Sequence, residues 1–126
     1  MKELKVDILG GHKLEKDFTT DWLRSLEKKD FTTDKISDWS IWYKKIDCYI
    51  WTNKWYYVCE IKVIKKDVFK ISQLRANQIS FLRKTLKTVW KPIVTVYSIE
   101  YDNYVIIPFE YIKDMKKEDS ITLKFN

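Results

Sequence analysis

The chain has 126 residues, of which 45% are hydrophobic, 16% aromatic and 33% charged, with only two glycines and two prolines. That length suits one domain, and these fractions exclude a disordered, collagen-like or low-complexity chain. No apolar run approaches the ~18 residues of a membrane span, the opening residues are too charged for a signal peptide, and two cysteines with one histidine make neither a disulfide scaffold nor a four-ligand zinc site.

A single domain in the cytoplasm, of a bacterium or a phage-infected cell, is therefore expected. Gly10-Gly11 separates a short first segment from a helix predicted over about residues 13–29, where Leu14, Phe18, Trp22 and Leu26 fall on one face at about 100° per residue. Asp38 to Tyr43 is a candidate strand. Lys45–Trp51 and Trp55–Ile64 read as two strands joined by a tight turn at Thr52-Asn53-Lys54. Ser72 is a candidate cap for a helix running to about Thr88. Pro92–Ile99 and Tyr104–Phe109 are two further strands around a turn at Tyr101-Asp102-Asn103. Lys113–Asp119 reads as an exposed charged tail, and Ser120–Phe125 as an edge strand. The order α-β-β-β-α-β-β predicts an α/β domain with a mixed central sheet flanked by helices. Both central strands are apolar on each face, so the sheet should be covered on both sides.

The net charge is +6, and it is concentrated. Lys62, Lys65, Lys66, Lys70, Arg75, Arg83, Lys84, Lys87 and Lys91 fall in one stretch with a single acid, Asp67, so this segment carries +8 and the remainder −2. Such a run is the footprint of a polyanion-binding surface or, more blandly, of a solvated helix face.

Glu60-Ile61-Lys62 sits toward the end of a strongly apolar strand. As a bare pattern acid-x-Lys has no weight, for it recurs at Glu3, Glu27 and Asp114. Only at Glu60 does it lie within a continuous apolar strand, where period-two alternation puts Glu60 and Lys62 on one face. If Asn53-Lys54 is a two-residue loop, Thr52 pairs with Trp55. Stepping outward, Cys48 faces Cys59 and Asp47 faces Glu60. Two carboxylates opposed at ~5 Å repel by about 3 kcal/mol at an effective dielectric of about 20. A divalent cation reverses that sign, because hard Mg²⁺ or Mn²⁺ takes carboxylate oxygens. Cys48 and Cys59 read as small buried hydrophobes rather than a disulfide. Glu15 and Gln78 interrupt the apolar faces of the two helices, and buried polar groups need partners. Arg75 falls in the second face too, but a first-turn arginine can snorkel outward. Carboxylates holding a metal, with a lysine beside them, suit phosphodiester hydrolysis.

Asp47-x12-Glu60-x-Lys62 on adjacent strands, followed by a helix and a strand, resembles the PD-(D/E)xK nuclease superfamily with its restriction-endonuclease-like fold. It is most similar to the RecU-type Holliday-junction resolvases of Gram-positive bacteria and their phages. The likeness runs through Gly11-His-Lys-Leu-Glu15, Tyr43-Lys-Lys-Ile-Asp47, Glu60-Ile-Lys62, Phe69 to Gln78 and Ile106-Ile-Pro-Phe109. Asn77 stands where the family usually has histidine. The resemblance implies Asp47, Glu60 and Ile61 as metal ligands, Lys62 as catalytic, and Glu15 and Gln78 as supporting active-site residues. It implies Mg²⁺, replaceable by Mn²⁺, as cofactor and branched DNA as substrate. A homodimer would supply two sites for the two strands of a four-way junction. Lys65, Lys66, Lys70, Arg75, Arg83 and Lys84 are the candidate DNA-binding residues, reading phosphates rather than sequence. The family's Pro-rich basic stalk has no counterpart, the acidic and aromatic run from Asp30 to Trp42 standing in its place. Alternatives are a homing, restriction-like or repair nuclease on this fold, a non-catalytic DNA-binding module, and a protein-interaction domain.

Overall fold

The structure, a computed structural model, describes residues 1–36 and 45–125. The strand expected over Asp38–Tyr43 lies outside the described residues. In chain order, α1 (Glu15–Glu27) is followed by β1 (Thr32–Lys35), β2 (Cys48–Trp51), β3 (Tyr56–Ile64), β4 (Val68–Lys70), α2 (Ala76–Thr85), β5 (Lys91–Ser98), β6 (Asn103–Pro108) and β7 (Ser120–Thr122). Five strands form a mixed sheet in the order β1-β2-β3-β5-β6. Only β3 and β5 run parallel, and the chain between them carries α2, as a parallel pair requires. The expected mixed sheet flanked by helices is the observed architecture.

The β2–β3 hairpin has the anticipated register, with Cys48 paired to Cys59 and Trp51 to Tyr56. Thr52 N–H donates to the Trp55 carbonyl at 2.8 Å, while the Thr52 hydroxyl accepts from Lys54 and Trp55 N–H at 3.1 and 3.0 Å. Neither Asn53 nor Lys54 has positive φ. The threonine side chain, not a mirror-image turn, therefore closes the loop.

α1 begins later than predicted, and its face is set by Phe18, Trp22 and Leu26, all fully buried. Leu14 precedes the first helical turn and is 53% exposed, so it does not belong to that face. The chain enters through Gly10 and Gly11, both at positive φ; a Cβ on Gly10 would lie 2.5 Å from Asp102 Oδ2, and Gly11 N–H donates to Asp102 Oδ1 at 2.8 Å. At the other end Asp30, at φ 68°, turns the chain out and Phe31 N–H returns to the Leu26 carbonyl at 3.2 Å.

The second helix is shorter than its pattern suggested. Ser72 caps nothing: Ile71–Gln73 is a single 3-10 turn, and α2 starts after Arg75. The buried face of α2 is formed by Gln78, Leu82 and Thr85. The end of the chain also departs from expectation. Ser120–Thr122 does not edge the main sheet but pairs with β4 in a separate two-stranded sheet.

Both faces of the main sheet are covered. Tyr57, Cys59 and Ile61 pack with Phe18, Trp22 and Leu26 of α1, and Phe18 stacks on Tyr97 at 4.7 Å between centroids. Val58, Ile64, Val94 and Val96 pack with Leu82 of α2 and with Phe69 and Phe109. Strict alternation along β3 thus directs Glu60 and Lys62 to the face that α2 covers. Among the described residues no helix is long and apolar enough to cross a membrane.

Candidate metal centre

Glu60 sits in the middle of β3, 2% exposed, on a face made almost wholly of valine, isoleucine and leucine. A carboxylate there needs partners, because an unpaired buried charge is costly. Gln78, likewise 2% exposed, donates from Nε2 to Glu60 Oε1 at 2.9 Å, and Lys62 Nζ stands 3.6 Å from the same oxygen. Glu60 Oε2 is buried and, among the described residues, has no hydrogen-bond partner. Burial and the negative charge of Asp47 hold the Glu60 carboxyl well above the usual carboxylate range, with Lys62 opposing.

Asp47 does not take the place opposite Glu60 that an uninterrupted ladder gives it. The ladder ends at Cys48–Cys59, and Asp47 N–H donates at 3.1 Å to the carbonyl of Cys59, the residue already paired with Cys48. Two residues of one strand facing one of the other is the geometry of a β-bulge, which re-aims a side chain. Asp47 Oδ2 consequently accepts the Ile61 N–H at 2.7 Å. The carboxylates nevertheless converge: Glu15, Asp47 and Glu60 each bring an oxygen within 4.8 Å of the others. Glu15, the first residue of α1, is exposed as a whole rather than turned into the core, yet its carboxylate joins this cluster.

Five of the expected site residues, Glu15, Asp47, Glu60, Lys62 and Gln78, are thus assembled in one place. Ile61 lies between them, but its hydrocarbon side chain has no ligand atom and packs on the other face of the sheet, so only its main-chain carbonyl is available to a cation. Its N–H, which holds Asp47, is a contributor that side-chain chemistry could not reveal. The donor set suits a hard divalent ion, since three carboxylates offer only oxygen and Glu60 Oε2 has no donor among the described residues. The basic residues are more dispersed. Lys65 and Lys66 follow β3, Lys70 ends β4, Arg75 precedes α2, and Arg83 and Lys84 lie in its last turns; all six are exposed. Of these, Arg75 is tied to the centre, its N–H donating to Gln78 Oε1 at 2.9 Å.

The arrangement of sheet and helices has a counterpart among solved structures. The chain is similar to Archaeoglobus fulgidus Hjc, a Holliday junction resolvase from an archaeal hyperthermophile, with a TM-score of 0.66 over 84% of this chain and 85% of that one, at 17% sequence identity. The two chains share one fold. No protein-family model matches the sequence, and no curated protein matches it.

Proposed function

We propose that this protein is a metal-dependent DNA endonuclease of the PD-(D/E)xK superfamily, a single nuclease domain that cuts branched DNA and resolves four-way junctions. The observation that carries the reading is Glu60 Oε2, a buried carboxylate oxygen without a donor among the described residues, set among Glu15, Asp47 and Lys62. The shared fold with a junction resolvase supports the choice of DNA. The order of motifs favours the RecU type.

Asp47 and Glu60 would hold the ion, Mg²⁺ or Mn²⁺, with Glu15 and the Ile61 carbonyl as further ligands. An ion bound there supplies Lewis acidity toward the scissile phosphate and the attacking water. Gln78 keeps Glu60 Oε1 engaged and so fixes the rotation of the carboxylate. Ile61 N–H does the same for Asp47. Lys62, carried on the same face as Glu60, is placed to orient the water or to donate to the phosphate oxygen on which charge develops. Arg75, with Lys65, Lys66, Lys70, Arg83 and Lys84, would hold phosphates outside the reacting centre. Symmetric cutting of a junction needs two such centres, which a homodimer supplies.

The test is cleavage of end-labelled four-way junction, linear duplex and single-stranded DNA in Mg²⁺, Mn²⁺ or EDTA, with Lys62→Ala beside the wild type. Paired nicks in the junction, lost in EDTA and in the variant, are expected. Equal cutting of linear duplex would remove the junction and keep the nuclease. Binding without any cutting, alike in both proteins, would overturn the enzyme.

A further inference from the structure

The outer face of α2 carries a second concentration of charge that the carboxylate centre does not use. Ala76, Ser80, Arg83, Lys84 and Lys87 recur at helical spacing along one side, continuing just past the end of the helix. Lys117, far along the chain, completes a groove of about 380 Å³ with them and Ile79. The residues that line this groove include four cations and no acid. Among the described residues, none of the four forms an ion pair with a carboxylate. Arg83 is held in place, its Nη2 donating to the Lys113 carbonyl at 2.7 Å. Arg83 and Lys87 also border an adjoining depression with Lys113 and Asp114.

Like charges gathered in this way repel one another, and an anionic partner relieves that repulsion. The groove begins at Ala76 in the first turn of α2, about 200° round the helix from the glutamine bonded to Glu60, so it lies on the opposite side of α2 from the carboxylates. Short side chains, Ala76 and Ser80, stand at that end, and the cations follow toward the end of the helix.

We propose that the groove between α2 and Lys117 is a nucleic-acid backbone site, in which Arg83, Lys84, Lys87 and Lys117 neutralise backbone phosphates of bound DNA. This rests on the reading of the protein as a DNA endonuclease, and it adds Lys87 and Lys117 to the DNA-binding set. Lys117 is the decisive residue, because it lies outside the basic stretch and only the fold brings it to α2.

The experiment is fluorescence anisotropy with labelled four-way junction in EDTA, over a salt series from about 50 to about 200 mM, on wild type and on Lys87→Ala/Lys117→Ala. Each lost phosphate contact lowers the salt slope by about 0.9, so the double variant should lose about 1.8 from the slope. The ratio of wild-type to variant affinity should therefore shrink about twelvefold from the lowest salt to the highest. Lys28→Ala/Lys29→Ala, at the end of α1, should leave slope and affinity unchanged. Unaltered slope and affinity in the groove variant, beside a wild type that cuts DNA, would overturn the groove alone. A changed slope in a protein that never cuts would keep the groove and reject the endonuclease. A wild type with no salt-dependent affinity would reject both.

Discussion

Gln78 ties α2 to the carboxylate centre. Its Nε2 donates to Glu60 Oε1 at 2.9 Å, and its Oε1 accepts the Arg75 N–H at 2.9 Å, so one side chain both closes the first turn of the helix and holds a buried carboxylate. The helix cannot shift without disturbing Glu60, nor can Glu60 rotate without releasing the helix.

Removing this side chain should therefore cost more than an ordinary cap. Loss of the cap is worth about 1 kcal/mol, and stripping a buried oxygen of its donor about 1–3 kcal/mol. Gln78→Ala is expected to lower unfolding free energy in metal-free urea titrations by about 2–4 kcal/mol. A change under about 0.5 kcal/mol, the level of an unremarkable surface substitution, would show that the double bond is not made.

Glu60 makes stability depend on pH with an unusual sign. In the unfolded chain its proton leaves near the ordinary value of 4.5; in the folded one, burial and then Asp47 keep it on to much higher pH. Above about 4.5 the folded state therefore binds more protons than the unfolded, and stability falls as pH rises. The stabilising contribution is complete at lower pH and is lost on the way up to the raised folded value. In EDTA, urea midpoints of the wild type should decline between about pH 5 and about pH 8, and Glu60→Gln should flatten that decline. Saturating Mg²⁺ should flatten it too, because the cation favours the ionised carboxylate. A Glu60→Gln decline as steep as that of the wild type in EDTA would contradict the assignment.

Cys48 and Cys59 are paired across the ladder, free and fully buried. The neighbouring Cys59 sulfur and burial both push the Cys48 thiol up, and complete burial withholds both sulfurs from reagents, so neither cysteine should react in the folded protein. A chromogenic thiol reagent should find no reactive thiol under native conditions and both once the chain is denatured without reductant. Absence of thiols in denaturant would mean a disulfide.

The hairpin was legible in the sequence because its register follows from the loop alone: once Thr52 pairs with Trp55, Cys48 must face Cys59. The same counting misplaced Asp47 by one position, since a bulge is a main-chain event with no residue signature. Glu60, Lys62 and Gln78 stood out as polar groups in apolar runs. Thr32–Lys35 went unread as a strand because an exposed edge of two threonines, an acid and a lysine has no alternating pattern. The start of α2 was misread because Ser72 is a common cap and Arg75 is not. The helix is closed instead by Gln78 from within its first turn. Lys117 gave no signal at all, for its proximity to α2 is purely tertiary.

The most direct test of the carboxylate centre is calorimetric titration of the protein with Mn²⁺, for wild type and Asp47→Asn. Asparagine keeps an acceptor for the Ile61 N–H while removing one charge from the cluster of Glu15, Asp47 and Glu60. The expected result is saturable binding to the wild type, accompanied by a rise in Tm, with both lost in the variant. Equal binding by the two proteins, or none by either, would contradict a metal site at these residues.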